Sequence, residues 1–245
     1  LNAERENIDI SEEDLKISKS NYLPTVTILG SKSQEDTSKL TNRTGVEQSV
    51  NDVDPSIQSI KANAHALGRY SALVQEANMV PIVEPEVLMD GNHDIKTCYK
   101  ITKMVLEETF NQLSSSNVKL DGIILKPNMI LNGADSGIKN EASQVSEMTL
   151  ACLKESVPKG IPGIAFLSGG QTELEATKNL NEINKINDSK FIMTYSYGRA
   201  LQQSALKFWS KNIKDISGTQ NVFNHRANMC TLAAQGKWSV DLETN

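Results

Sequence analysis

Apolar residues recur along this chain with two different periods, and the change between them predicts where helices and strands lie. From residue 56 onward, apolar positions three and four apart predict helices, and short unbroken apolar runs predict strands. The predicted helices cover residues 56–78, 95–113, 145–153, 172–183, 201–209 and 222–234. The predicted strands cover residues 80–83, 122–125, 163–167 and 191–195, each after a helix. Thr172 and Glu175 have the spacing of a capping box at the start of the fourth helix.

The alternation of helix and strand predicts an α/β fold with a parallel sheet. Parallel strands need helical crossovers, which leaves an open doubly wound sheet or a (β/α)8 barrel as the candidate architectures. We favour the barrel because the sequence contains neither of the two glycine-rich nucleotide-binding fingerprints, GxGxxG and the P-loop. Four strands make half of such a barrel. Since each apolar run is unbroken, we expect every strand to be buried on both faces.

The first part of the chain has a different pattern. Residues 1–20 carry only a thin apolar stripe, typical of a helix that buries little surface. Residues 22–30 are rich in β-branched side chains and favour an extended segment, whereas residues 31–54 are polar and favour a loop or disorder. We therefore expect two units, a poorly ordered segment over residues 1–59 and a half barrel over residues 60–245.

Composition narrows the class of protein. The 245 residues are 38% hydrophobic and 22% charged, as in soluble globular domains, with no apolar run long enough for a membrane helix and no visible signal peptide. A net charge of −5 without blocks of like charge disfavours a nucleic-acid partner. Cys98, Cys152 and Cys230 lie far apart, which predicts buried thiols of a reducing compartment. We expect a cytoplasmic protein without a metal or other cofactor.

Polar and charged residues follow every predicted strand, and active sites of parallel barrels are built at these strand ends. Because the carboxyl ends of parallel strands meet at one face, we expect the side chains to converge there. The candidates are Glu84 and Glu86 after the first strand, Lys126 after the second, Ser168, Gly169 and Gly170 after the third, and Gly198 and Arg199 after the fourth.

Lys126 is the candidate nucleophile. A lysine that leaves the last hydrophobic layer of a barrel loses hydration, and this loss, together with nearby positive charge, favours the neutral amine. A neutral amine can attack a carbonyl and form a Schiff base, which then withdraws electrons from the adjacent carbon. The alternative interpretation is a strand-end lysine that extends its ammonium to solvent.

Glu84 and Glu86 lie two residues apart on an extended segment and therefore point the same way. One carboxylate can transfer protons while the other sets its charge state. The alternative interpretation is a solvated strand end or a salt bridge. The pair is a candidate for acid–base chemistry only in combination with the neighbouring strand ends.

Ser168, Gly169 and Gly170 precede a capped helix, so that unobstructed backbone N–H groups can face an anion while Arg199 supplies positive charge. A plain strand-to-helix turn is the alternative interpretation. His93 lies in the segment DGNHD, and we interpret that segment as a turn and helix cap because no partner His or Cys has the spacing of a metal ligand.

Seven segments resemble class I fructose-1,6-bisphosphate aldolases in their order and spacing: VPIVEPE, DGNHD, LKPNM, FLSGGQ, LNEINK, SYGRALQ and AAQGKW. The likeness covers about residues 62–238 and the C-terminal half of that family, which implies the last four βα units of its barrel. It implies that Lys126 is the Schiff-base lysine, that Glu84 is the acid–base residue and that Glu86 supports it. The residues that the resemblance implies for a substrate phosphate are Ser168, Gly169, Gly198 and Arg199.

The activity implied by the resemblance is glycolytic cleavage of fructose 1,6-bisphosphate to dihydroxyacetone phosphate and glyceraldehyde 3-phosphate, without a metal. The family's first four barrel strands have no counterpart in this sequence. Open strand edges near Val83 and Phe191 then predict self-association, completion by another half-chain, or poor folding. Two alternatives are a non-catalytic remnant that binds a sugar phosphate or serves as an interaction module, and a different Schiff-base lyase.

The N-terminal segment resembles another class of protein. RENIDISEEDLKISKSNYLPTVTILGSKS, within residues 1–59, is similar to the helix-to-strand passage of outer-membrane efflux proteins of the TolC type. An efflux segment and a glycolytic enzyme have no obvious joint purpose. The combination predicts a chimeric chain formed by fusion or recombination, in which the aldolase-like part has no contact with a membrane.

Overall fold

The computed structural model describes residues 46–48 and 55–244. The strands are β1 (Val46–Gln48), β2 (Ile82–Val83), β3 (Pro85–Val87), β4 (Ile124–Leu125), β5 (Gly163–Phe166) and β6 (Met193–Tyr195). The helices are α1 (Ile57–Glu76), α2 (Ile95–Ser115), α3 (Ala142–Ser156), α4 (Glu173–Ile186), α5 (Arg199–Lys211) and α6 (Ile216–Ala234). Two short 3-10 helices cover Leu120–Gly122 and Val240–Thr244. Our predictions for residues 1–45 and 49–54 lie outside the described residues.

The helices form where the apolar periodicity predicts them, and their ends are explained by local capping. The predicted capping box of α4 is confirmed, because Glu175 N donates to Thr172 Oγ1 at 3.3 Å and Thr172 N donates to Glu175 Oε2 at 2.8 Å. Helix α6 begins at Ile216 and not at the predicted residue 222. Asp215 accounts for the earlier start, since its Oδ1 accepts from Gly218 N at 2.8 Å and caps the first turn.

All strand pairs in the described structure are parallel, which confirms the predicted α/β class. Strands β2, β4, β5 and β6 form one sheet in that order, and β1 pairs with β3, which continues the chain of β2 beyond Glu84. The ladders are short, with β2 and β4 each contributing two residues. Strands β1 and β3 were not predicted as elements. Residues 46–48 were predicted as loop or disorder, and this prediction is wrong because they pair with Pro85–Val87.

One face of the sheet packs on the helices. The residues that project to this face are Val83, Leu125, Ile164, Phe166 and Met193, all at most 3% exposed. They join the core side chains of α2, α3, α4 and α6. The sheet therefore has a helix-covered outer face, as the strands of a (β/α)8 barrel have.

The opposite face is less covered, and the prediction that every strand is buried on both faces is wrong. Ile82 on β2 is 40% exposed, and Ile192, directly before β6, is 71% exposed. Ile124 is also only partly buried. In a closed barrel such inward-facing side chains pack against strands on the far side. Within the described residues the sheet has four strands, so the inner face keeps this exposure.

Cys98, Cys152 and Cys230 are free and buried, as predicted. Burial raises the pKa of the Cys98 thiol to about 11 and that of the Cys152 thiol to about 12, which makes both poor nucleophiles. No helix in the described part of the chain is long and apolar enough to cross a membrane.

A buried ion pair holds the 3-10 helix Val240–Thr244 against α6. Arg226 is 5% exposed, and its two terminal nitrogens each donate to Glu243 at 2.8 Å. Trp238 Nε1 also donates to Glu243, at 2.7 Å. Burial pushes the pKa of Glu243 upward, but the hydrogen bonds from Arg226 and Trp238 outweigh it and hold this pKa below its usual value.

We predict that E243Q lowers the free energy of unfolding at pH 7 by about 2 kcal/mol, because the buried guanidinium loses its charged partner. A carboxyl whose pKa is lowered by folding stabilises the protein above its unfolded pKa and loses that contribution as pH falls through its folded pKa. The free energy of unfolding of E243Q should thus decline less than that of the unaltered chain below about pH 4.5. Urea titrations across this pH range test both expectations.

The matched control is E141Q, which removes an exposed ion pair with Lys139. Water screens that pair, and we expect little change in stability. Equal losses in E243Q and E141Q would contradict the structural role of the Arg226 pair.

Candidate active site

Lys126 and Glu84 form an ion pair at the carboxyl ends of neighbouring strands. Lys126 follows β4 directly, Glu84 follows β2, and Lys126 Nζ lies 2.9 Å from Glu84 Oε2. Their side chains are 19% and 32% exposed, respectively. The ammonium therefore contacts a carboxylate on the next strand and is not simply extended into solvent. We expected positive charge near Lys126, and the structure places the Glu84 carboxylate beside it.

Small and half-buried residues neighbour Lys126 on the inner face of the sheet. The register pairs Leu125 with Ile164 and Ala165 with Thr194, which places Ala165 and Thr194 level with Lys126 on β5 and β6. Ala165 has the smallest side chain of this row. Thr194, one strand further, is half-buried.

Glu86 lies on the same face as Glu84, as the alternation of burial along β3 shows. Pro85 and Val87 are buried, whereas Glu84 and Glu86 are half-buried. A β-carbon added to Gly169 would lie only 2.8 Å from Glu86 Oε1, so this carboxylate approaches the loop between β5 and α4 closely. The structure thus brings the second predicted carboxylate next to one of the predicted phosphate-binding glycines.

The loop of Ser168, Gly169 and Gly170 turns sharply between β5 and α4. Gly170 has φ of +71°, a left-handed backbone conformation that favours glycine. A β-carbon there would lie 2.5 Å from the β-carbon of Met89, so the loop backbone packs directly on the segment after β3. The two glycines are needed for close approach, which accounts for their place in the turn.

Gly198 and Arg199 begin α5 at the end of the neighbouring strand. Gly198 is the N-cap residue, and within the described residues no side chain caps this helix. Arg199 is exposed, and its guanidinium has no ion-pair partner in the described part of the chain. Uncapped N–H groups and a guanidinium at a helix N-terminus are a favourable arrangement for an anion.

Two contacts link the loops after β5 and β6. Tyr197 Oη donates to the Ala176 carbonyl at 3.0 Å. Ser204 N donates to Glu173 Oε1 at 2.8 Å, and Ser204 Oγ also bonds the Glu173 carboxylate. Because Glu173 begins α4 and Tyr197 precedes α5, these bonds hold the two predicted phosphate-binding loops in a constant relation.

The segment DGNHD is a turn that ends in a helix cap, as predicted. The cap is Asp94, whose Oδ1 accepts from Thr97 N at 2.8 Å, and this backbone hydrogen bond lowers the pKa of Asp94. His93 is buried at 6% exposure. No three His, Cys, Asp or Glu side chains of the described chain are grouped so as to hold a metal ion.

Asn128 is one of the polar residues that follow the predicted strands, and the sequence alone gives it no specific role. Its side chain is 2% exposed and bonds β3, α2 and its own loop. The available signal was a strongly polar amide two residues after Lys126, between the apolar run of β4 and the apolar residues 129–131.

Comparison with known proteins decides the family. A family model described as Fructose-bisphosphate aldolase class-I matches residues 41–245. The chain belongs to the class I fructose-bisphosphate aldolase family. This match begins inside the segment for which we predicted a likeness to efflux proteins, and the comparisons give that likeness no support.

Individual aldolases agree with this assignment. A protein of Xanthomonas campestris named as a probable fructose-bisphosphate aldolase class 1 is 48% identical over 185 residues, covering 75% of this chain and 55% of that protein. The fructose-bisphosphate aldolase of Dictyostelium discoideum is 43% identical over 190 residues, covering 78% of this chain and 53% of its own. The chain thus spans about half the length of the curated relatives that it matches.

A solved aldolase structure has the same fold. The aldolase of Plasmodium falciparum, in a complex with TRAP and a small-molecule inhibitor, matches with a TM-score of 0.76 at 38% identity. The match covers 79% of this chain and 56% of that one. The partial aldolase barrel predicted from the sequence is therefore confirmed, while the roles of the individual site residues stay predictions.

We predict that G170A lowers the free energy of unfolding by about 2 kcal/mol, because alanine is strained at a positive φ and its β-carbon would collide with Met89. G160A is the matched control, since nothing lies within 4 Å of a β-carbon at that position. Urea denaturation measures both. If G170A is as stable as G160A, the loop does not pack on Met89 as described.

Proposed function

We propose that this chain carries the Schiff-base centre of a fructose-1,6-bisphosphate aldolase, which cleaves its substrate to dihydroxyacetone phosphate and glyceraldehyde 3-phosphate in glycolysis. The observation that carries the proposal is the 2.9 Å contact between Lys126 and Glu84 at the carboxyl ends of adjacent strands. Membership of the aldolase family and the names of the relatives support it.

Imine formation needs a nucleophilic amine and a group that moves protons. The Lys126 ammonium first loses a proton, and Glu84 lies within hydrogen-bond reach to accept it. The amine then attacks the ketone carbon of the substrate, and the carbinolamine loses water when Glu84 returns the proton to the departing hydroxyl group. A protonated imine on Lys126 is the product of this stage.

Carbon–carbon cleavage uses the imine as an electron sink. The bond between the third and fourth carbons breaks, its electron pair moves toward the protonated imine, and the fourth-carbon hydroxyl loses a proton to a carboxylate as the aldehyde leaves. We assign this proton transfer to Glu84, with Glu86 as the supporting carboxylate. Protonation of the enamine and hydrolysis of the imine release the second product and restore the amine.

The substrate phosphate is assigned to the loops after β5 and β6, with Ser168, Gly169, Gly170, Gly198 and Arg199 as its ligands. The uncapped N-terminus of α5 and the exposed Arg199 support the assignment. No metal or other cofactor takes part in the proposed reaction.

The exposed inner face of the sheet favours a second candidate, a non-catalytic module that binds a sugar phosphate or another protein. Ile192 is 71% exposed, and the chain spans about half of its relatives. A catalytic barrel would need this face covered. We propose that two copies associate through it, because within the described residues one side of β6 is unpaired, and an apolar sheet face beside an open strand edge is a favourable surface for pairing.

We further propose where the protein is located and how its N-terminal segment arose. A cytoplasmic location is supported by a relative of Arabidopsis thaliana, 44% identical, whose name describes it as cytosolic. The chimeric origin of residues 1–59, with an efflux-type segment, stays a prediction, and so does the division of the chain into residues 1–59 and 60–245.

Borohydride trapping tests the proposed chemistry. With saturating dihydroxyacetone phosphate, we expect a reduced adduct on the tryptic peptide that contains Lys126, and none with K126R, which keeps the charge but has no free amine. E84Q should slow trapping about 100-fold, because it removes the proton-transfer group. A folded chain that gives no adduct at saturation contradicts the proposal and favours the non-catalytic module. Equal trapping by unphosphorylated dihydroxyacetone would favour a different Schiff-base lyase.

Sedimentation equilibrium tests self-association. We expect a concentration-dependent dimer that I192E weakens about tenfold or more, because a charge on the exposed inner face cannot be buried in a dimer without a large desolvation cost. I57E is the matched control, since Ile57 is 59% exposed at the start of helix α1 and not on the sheet. A monomer at all concentrations, or equal weakening by both variants, contradicts the proposed interface.

A further inference from the structure

A buried amide follows Lys126 and contacts three parts of the fold. Asn128 is 2% exposed, and its Oδ1 accepts from Val87 N at 3.0 Å. Its Nδ2 donates to Thr102 Oγ1 and to the Met129 carbonyl, both at 3.1 Å. Reversing the amide would set a donor against Val87 N–H and an acceptor against the Met129 carbonyl, so only one orientation fits.

The backbone ladder between the two reactive strands stops at Lys126. Ile124 N donates to the Pro81 carbonyl at 3.0 Å, and Lys126 N donates to the Val83 carbonyl at 2.7 Å. In this register the next donor would be the N–H of residue 85, and Pro85 has none. Beyond Lys126, the bond between Asn128 and Val87 takes over the role of a ladder rung.

This rung lies next to the carboxylates of the candidate site. Val87 follows Glu86 directly, and Glu84 and Glu86 are carried by the same short segment. On the other strand, Asn128 is two residues from Lys126. The Lys126 and Glu84 side chains are joined at one level, and the Asn128 side chain joins the same two segments at the next level.

We infer that Asn128 is a positioning residue, which sets the segment of Glu84 and Glu86 in register with Lys126 and so holds both carboxylates at their working distances. The inference rests on the proposed function for its catalytic meaning. Its structural content is independent of that function, because it concerns the spacing of two described strand ends.

Asn132 provides a matched control on the same loop. It is 3% exposed, and its Oδ1 accepts from Ile95 N at 2.8 Å while its Nδ2 donates to Asn140 Oδ1 at 3.0 Å. It thus has the burial and side-chain type of Asn128, but it holds the start of α2 and not β3. N132L and N128L should cost similar stability, since each leaves a buried backbone N–H without its acceptor.

The closing experiment measures Lys126 with and without substrate. In the absence of substrate, acetic anhydride labels each lysine at a rate that mass spectrometry reports peptide by peptide. The Lys126 amine is in contact with Glu84 and its side chain is only 19% exposed, so N128L should raise the labelling rate of Lys126 about tenfold by loosening that contact. N132L should leave Lys126 within about twofold of the unaltered chain, and exposed Lys159 should react equally in all three. Borohydride trapping of the imine should fall about tenfold in N128L and not in N132L.

The two parts of the experiment separate the inference from the proposed function. If neither the unaltered chain nor any variant forms an imine, the proposed function is contradicted. The labelling of Lys126 still decides the role of Asn128 in that case. Equal labelling of Lys126 in N128L and N132L overturns the inference. If N128L does not fold, T102V replaces it. This variant removes one hydrogen-bond partner of Asn128 and keeps the volume of the buried side chain. The inference then requires that the labelling rate of Lys126 is higher in T102V than in the unaltered chain.

Discussion

The hydrogen bond from Lys126 N to the Val83 carbonyl, at 2.7 Å, sets the pairing of the two strands on which the candidate site depends. Val83 and Leu125 are paired in this ladder and are fully buried against the helices. Because side chains alternate along a strand, the next residues, Glu84 and Lys126, must point to the other face. A slip of one residue would bury a charge among the helices, at far greater cost than the roughly 2 kcal/mol gained per buried valine or leucine. Burial of Val83 and Leu125 on the outer face of the sheet thus aligns Glu84 and Lys126 on its inner face.

The inner face of the sheet determines how strong those charge interactions are. Low dielectric surroundings strengthen an ion pair, and water weakens it. Here the Lys126 side chain is 19% exposed while Ile192 on the same face is 71% exposed, so the reactive row is better covered than the apolar row beneath it. The geometry of the pair therefore persists in a half barrel, whereas the exclusion of water depends on what covers the inner face.

The order of helices and strands could be predicted from the sequence, because the apolar periodicity of each helix and the apolar run of each strand depend only on neighbouring residues. The cap of α4 could be predicted for the same reason, since Thr172 and Glu175 are three residues apart. Exposure of the inner face could not, because the burial of Ile82 depends on strands across the barrel and not on its own run. The partner of Lys126 lies 42 residues away in sequence, and only the parallel register brings Glu84 to it.

Asn128 illustrates what residue pattern does not reveal. Its bond to Val87 N joins residues 41 apart in sequence, and neither segment contains a signal for the other. Pro85, which ends the ladder, could be read as a strand end, but the side chain that replaces the missing hydrogen bond becomes visible only when the strands are paired.

The two helices that follow β5 and β6 differ in how their first turns are satisfied, and this difference bears on where an anion can bind. Thr172 and Glu175 hydrogen-bond to each other's backbone N–H groups at the start of α4. The N–H groups that can bind an anion between β5 and α4 are therefore those of the glycine loop before the helix. The N-cap residue of α5 is Gly198, which has no side chain to cap the helix, and the first N–H groups of the helix have no acceptor inside it. The dipole of α5 and the charge of Arg199 therefore lie at the same helix end, next to a loop that Tyr197 and Glu173 hold in place. An anion at that point neutralises charge that the described residues leave uncompensated, whereas an anion on the first turn of α4 would compete with a complete cap.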